Sequence, residues 1–197
     1  SSTHLRLKIS RNFNIQEVIQ QWNAIALATS NASPFLTAAW IESWLSSLPE
    51  VPQVALLIEG EKTVGICIIG ESVSVNLGVK IRTALINQAG KPDLDQVWIE
   101  YNDFLLDPSF SEKTRAALVA FAVNQLTWDI LEIGPAQSKL ISLVETYDIQ
   151  QKIAWSAPSF SAQLNKQDTL DNYLLSLSKN VRSQIRRDLS EASNSLT

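Results

Sequence analysis

Two aliphatic runs, VALLI at 54–58 and VGICII at 64–69, are separated by a polar turn built on Glu59, Gly60, Glu61 and Lys62. Short apolar runs bounded by turn residues read as strands, here joined as a hairpin. Neither run alternates apolar with polar residues, so both faces of each strand need cover. This requirement constrains the chain more than any other feature: it demands a sheet with an apolar layer packed on each side.

The flanking sequence supplies such layers. Residues 4–9 alternate Leu5, Leu7 and Ile9 with polar neighbours, the period of a half-buried strand. Asn14 with Glu17 three residues on opens a helix whose apolar face is Ile15, Val18, Ile19, Trp22, Ile25 and Ala26. A second helix begins near Thr37 and carries Trp40, Ile41, Trp44, Leu45 and Leu48 before Pro49. Beyond the hairpin, residues 72–77 and 80–87 read as strands around Gly78, and 88–92 as a loop. Residues 97–106 read as a strand broken at Asn102 and Asp103, 111–125 as a helix, 128–133 as a strand and 137–144 as a helix. Residues 153–164 read as two strands around Pro158, and Asp168 or Thr169 caps a terminal helical region. The expected class is α/β (α+β): a mixed, mostly antiparallel sheet of at least five strands flanked by helices, with a C-terminal helical extension. Trp40 and Trp44 are expected against the sheet.

Composition narrows the function. The 197 residues are 45% hydrophobic and 18% charged, with six Trp and six Phe, so the bulk of the chain has ample surface to bury. Sixteen basic and twenty acidic side chains argue against a general nucleic-acid binder. The longest wholly apolar run, 116–123, falls well short of the roughly 20 residues a membrane span needs, so no membrane partner is expected. One Cys and one His cannot form a zinc site, and no metal is expected. Cys67 reads as core and His4 as surface. The start, SSTHL, lacks a charged segment followed by an apolar one, and a cytoplasmic protein or a fragment of one is expected.

Chemical motifs are few. No two of the six glycines are separated by a single residue, which rules out G-x-G-x-x-G and the P-loop. No loop stands out as able to present several backbone N–H groups to a pyrophosphate. Glu100, Tyr101, Asn102 and Asp103 gather two carboxylates, a phenol and an amide at a strand end, where an acid could take a proton from an amine. The competing reading is an ordinary polar strand face. Lys179, Arg182, Arg186 and Arg187 fall at helical spacing beside an apolar stripe of Val181, Ile185 and Leu189. Such a helix suits phosphates or an acidic surface, or is simply a solvated face.

Several segments come in a telling order: PFLTAAW at 34–40, the strand at 64–69, YNDFL at 101–105, WDIL at 128–131 and YLLSLSKNVR at 173–182. This succession resembles the CelD-like branch of the GNAT N-acyltransferases, relatives of the FemAB aminoacyl transferases. The last segment is the most specific, being similar to an "SL-S-[KR]-N-x-R" stretch that leads into an Arg-rich helix. The resemblance implies two GNAT-like folds in tandem, with acetyl-CoA or another acyl-CoA bound by the second. On it, residues 1–165 are a degenerate N-terminal GNAT-like domain, and 168–197 resemble the start of a second fold missing from this chain. Tyr101 and Asp103 become acceptor-side candidates, and Lys179, Asn180, Arg182 and Arg186 domain-junction candidates. No catalytic or cofactor-binding residue is assigned in this chain. The implied function is the N-terminal region of an acyl-CoA-dependent N-acyltransferase, shaping the acceptor side and not active alone. The implied partner is a second GNAT-like domain or, through the C-terminal helix, another copy. The alternative is a stand-alone binding or dimerisation module that uses the basic terminal helix.

Overall fold

A computed structural model describes residues 5–29, 33–95, 99–124, 127–159 and 169–195, the side chains of Ser111 and Ser195 aside. The chain divides into two units, residues 1–150 and 151–197.

Among its described residues the first unit has six strands: β1 (Leu5–Ser10), β2 (Gln53–Glu59), β3 (Lys62–Asn76), β4 (Val79–Ile86), β5 (Leu105–Leu106) and β6 (Ile130–Glu132). Their order is β1-β2-β3-β4-β6, with β5 paired to β3 beside β4. Every pairing is antiparallel except β4 with β6. Helices α1 (Ile15–Ala28) and α2 (Ala38–Ser47) lie on one face, and α3 (Ser111–Asn124) and α4 (Ser138–Val144) on the other.

The all-apolar hairpin is covered as its sequence requires. Along β2, Val54, Leu56 and Ile58 pack with Val18, Trp22, Ile41 and Leu45, while Ala55 and Leu57 pack with Leu118, Phe121 and Leu140. Along β3 the alternation changes phase: Ile66 and Ile68 face the α1–α2 layer, but Val64 faces the α3–α4 layer with Cys67 and Ile69. A bulge explains it, because the register jumps from Leu57↔Gly65 to Ile58↔Thr63, leaving Val64 as the extra residue. Burial among these side chains pushes the Cys67 thiol far above its ordinary range.

Local chemistry sets the helix ends. The Asn14 side chain accepts the Gln16 N–H, and Thr37 accepts that of Trp40. Trp22 is fully buried and donates its indole N–H to the Leu36 carbonyl at 2.8 Å. Trp40 and Trp44 pack half-buried against the α1–α2 core, Trp40 edge-on to Phe35.

Several expectations need correction. Residues 64–69 and 72–76 belong to one strand, because the β3–β4 ladder continues unbroken from Ile69 to Asn76, and Leu77 falls in the turn. The strand expected over 97–106 shrinks to Leu105–Leu106. Residues 99–104 are not strand, because Asn102 bonds to Ile86, Asn87, Ile133 and Pro135 instead of joining a continuous ladder; Val97 lies outside the described residues. Residues 151–159 have no regular structure, with Pro158 donating no N–H to a ladder, and 160–164 lie outside the described residues. His4, Asp168 and the expected boundary at 165–168 lie outside them too.

The second unit holds α5 (Leu170–Ser176), capped by Thr169, and α6 (Lys179–Ser195). The terminal helical region is therefore two helices, parted at Leu177 and Ser178.

Close packing of α3 on β3 rests on Gly65, where a Cβ would lie 2.5 Å from Thr114 Cγ2. We expect Gly65→Ala to destabilise the chain by about 1–3 kcal/mol in urea unfolding. Adding Thr114→Ser, which removes that methyl group, should recover part of the loss.

Candidate functional site

Ligands of α/β sheets bind in the crevice outside the carboxyl ends of parallel strands, where the sheet opens. Here that place is the end of the β4–β6 pair. The ladder runs through Thr83↔Ile130, Ala84↔Leu131 and Leu85↔Glu132 and then stops. The next carbonyls, of Ile86 and Ile133, no longer face a partner strand.

Asn102 fills the gap. Its side-chain amide donates to the Ile86 carbonyl at 2.9 Å and also to the Ile133 carbonyl. Its backbone N–H donates to the Pro135 carbonyl, and a parallel bridge joins it to Ala136. Its side-chain oxygen accepts from Asn87 Nδ2 at 2.9 Å. Asn87 in turn exchanges bonds with Ile68, accepting its N–H on Oδ1 and donating its own N–H to the Ile68 carbonyl. It also donates to the Asp103 carbonyl. Both asparagines are 1% exposed, so two buried amides, each donating twice and accepting once, close the crevice from inside. Asn87 has φ +51°, a left-handed conformation that asparagine tolerates. Gly134, at φ +73°, leaves room beside them: a Cβ there would lie 3.1 Å from Gln88 Nε2.

The two acceptor-side candidates flank this plug and differ from one another. Asp103 is committed, accepting the Phe104 N–H and pairing with Arg115 at 2.6 Å. That arginine is nine-tenths buried, and its other terminal nitrogen lies 3.8 Å from Glu112, which also pairs with Lys139. The Lys139 hydrogen bond, above all, holds the Glu112 carboxyl below its ordinary range. Tyr101 is 40% exposed in a turn at φ +55°.

A second feature follows β4 directly. The backbone N–H groups of Ala89, Gly90 and Lys91 converge on the Asp95 carboxylate at 2.6, 2.7 and 3.1 Å. Three converging N–H groups form a nest of the kind that holds anions. Here the chain's own carboxylate sits in it. Sequence reasoning missed this loop, since a lone Gly90 gives no motif; an Asp five residues after it was the available signal. A shallow groove of about 250 Å³ borders the loop, crossed by the Arg11–Glu71 and Lys91–Glu50 ion pairs.

The junction candidates Lys179, Asn180, Arg182 and Arg186 lie on α6 in the second unit, and Arg186 reaches Asp171 of α5 at 3.7 Å. Among the described residues no group of His, Cys, Asp or Glu is arranged to hold a metal ion, and no helix is long and apolar enough to cross a membrane.

No family model matches the chain, and no curated protein matches it. Among solved structures, it is similar to a ribosomal-protein-alanine N-acetyltransferase from Brucella melitensis biovar Abortus 2308. The two share 9% identity over 81% of this chain and 100% of the other, with a TM-score of 0.45. It is similar to an aminoglycoside N-acetyltransferase in complex with CoA, at 8% identity over 80% and 97% with a TM-score of 0.41. A further match is an aminoglycoside acetyltransferase from an uncultured soil metagenomic sample in complex with sisomicin, at 11% identity over 80% and 97% with a TM-score of 0.43.

Two outcomes follow from this geometry. Asn102→Ala leaves the carbonyls of Ile86 and Ile133 without their donor, and a loss of about 1–3 kcal/mol in urea unfolding is expected. Asn102→Asp should cost more, because it sets a carboxylate against those carbonyls. The second outcome concerns Asp107, just before α3, which pairs with Lys62 at 2.5 Å. That hydrogen bond, above all, lowers the carboxyl from its ordinary range. Ionised Asp107 therefore supports folding at and above about pH 4, and the support is lost as pH falls through the lowered value. Lys62→Met should move the midpoint of acid unfolding to higher pH, read by circular dichroism.

Proposed function

We propose that this chain is the non-catalytic N-terminal half of a GNAT-type, acyl-CoA-dependent N-acyltransferase, and that it shapes the acceptor side of a site completed elsewhere. The order of matched segments across residues 34–190 supplies the family resemblance. One observation carries the non-catalytic part of the reading: Asn102 occupies the opening at the ends of β4 and β6. The anion nest beside it is likewise spent on Asp95. On this reading, a pyrophosphate directed to either place would have to displace a buried amide or a bonded carboxylate. This supports a chain that leaves acyl-CoA to another domain, and no transfer step is assigned to its residues.

On this reading Tyr101, exposed at the rim of the plug, lines the acceptor side, while Asp103 acts through Arg115 to hold that rim in place. Lys179, Asn180, Arg182 and Arg186 lead into the second fold. A second reading, a stand-alone module that docks through α6, draws on one observation: Val181 and Leu189 are each nearly half exposed on that helix.

Calorimetric titration of the 197-residue chain with acetyl-CoA tests the first reading. We expect no binding in the micromolar range; a micromolar Kd overturns the claim that the cofactor half lies elsewhere. The parent reading frame separates the two readings. A continuation into another domain-sized stretch with a glycine loop favours the first, and a stop codon after residue 197 favours the second.

A further inference from the structure

The β3–β4 hairpin extends past the rest of the sheet. β2 leaves β3 at Ile69, and β6 meets β4 only at Thr83, Ala84 and Leu85. Residues 72–82 therefore form a two-stranded arm. The arm carries an unusual load of exposed apolar side chains: Val73, Val75 at 71%, Leu77 at 99% and Val79. Its tip is a two-residue turn at Leu77 (φ +49°) and Gly78 (φ +80°), the geometry of a type I′ hairpin. Glycine, asparagine or aspartate suits the first of those positions. A leucine there is both strained and fully exposed.

The two edges of the arm differ. On the β4 edge, the Arg82 N–H donates to the Asp129 carboxylate and the Arg82 carbonyl accepts the Asp129 N–H, so that edge is closed at Arg82. Arg82 thus turns its backbone groups away from its partner Val73, and Val73 turns its own toward the opposite edge. Val75 does the same two residues on. At Glu71 this β3 edge is blocked by the loop after β4, where a Cβ on Gly90 would lie 2.6 Å from the Glu71 carbonyl oxygen. From Ser72 to Asn76, among the described residues, no strand pairs with it. This stretch, SVSVN, holds no charge and no proline, two of the devices that keep exposed edges from pairing.

We propose that the outer edge of β3, residues 72–76, pairs with the same edge of a second copy in an antiparallel, two-fold symmetric contact. The stretch is complementary to itself. An axis through Ser74 sets Val73 opposite the partner's Val75, and these are the residues whose N–H and C=O groups point outward. Each such pair exchanges two backbone hydrogen bonds, so the contact makes four. The valines form one apolar stripe across the joined arms. Lys80 and Arg82, which share their face, end up three strand spacings from the cations of the other copy, beyond the screening length of physiological salt. Five residues a side is far fewer than the roughly 20–30 of a standard interface, so the dimer is weak and concentration-dependent.

Sedimentation equilibrium of the full chain, from low micromolar to submillimolar, reads the contact. The wild type is expected to dimerise reversibly. Val75→Pro removes an outward N–H that the β3–β4 ladder does not use, and should weaken dimerisation at least about tenfold. Val75→Thr keeps that N–H and should still dimerise. Should the proline variant lose its circular dichroism spectrum, Val73→Glu with Val75→Glu serves instead. Those carboxylates face Arg82 and Lys80 within the arm but one another across the axis, and the variant should be monomeric. A wild type that stays monomeric overturns the proposal. So does a dimer that survives both the proline and the double glutamate variants.

Discussion

Where β4 and β6 part, the carbonyls of buried Ile86 and part-buried Ile133 lose their ladder partners, and the layout of the first unit follows from how they are satisfied. A sheet opening can be filled by water, by a ligand or by the chain itself, and a buried acceptor left alone costs about 1–3 kcal/mol. This chain inserts Asn102, whose amide carries enough donors and acceptors to serve Ile86, Ile133 and Asn87 together. The demand reaches outward. Residues 99–104 must cross the sheet end instead of joining it, which shortens β5 to two residues. Asp103 then falls within reach of Arg115, which fixes the first turns of α3 against the sheet.

The fold was legible in the sequence where burial is two-sided or strictly periodic. VALLI and VGICII announced a covered hairpin, and the stripe around Trp22 announced α1. The phase change at Val64 was invisible, because in a wholly apolar run an extra residue alters no pattern; only the partner strand reveals it. Residues 99–106 were misjudged for a related reason. Apolar residues on either side of Asn102 suggest a strand, and nothing local shows that its amide must reach two carbonyls far away in sequence.

The site was legible only in its neighbourhood. Residues 100–104 lie where the sheet opens, yet the carboxylate that looked like chemistry is tied to Arg115, while the neutral amide between Tyr101 and Asp103 closes the crevice. The reason is physical. A charged side chain in an opening needs a counter-ion, whereas an asparagine can satisfy donors and acceptors at once without one. The loop at 89–95 follows similar logic with a charge: the Asp95 carboxylate is acceptable because three N–H groups already meet it.

The bulge at Val64 has a consequence for how β3 tolerates change. The backbone carbonyl of this extra residue accepts the N–H of Asp107, the same residue whose carboxylate holds Lys62. One inserted residue thus ties the sheet to the peptide that launches α3. It also splits the strand into two dialects: before it, even positions speak to α3 and α4, and after it to α1 and α2. A deletion there would mend the ladder while unfastening the helix. What looks like an irregularity in the sheet is the joint between its two layers.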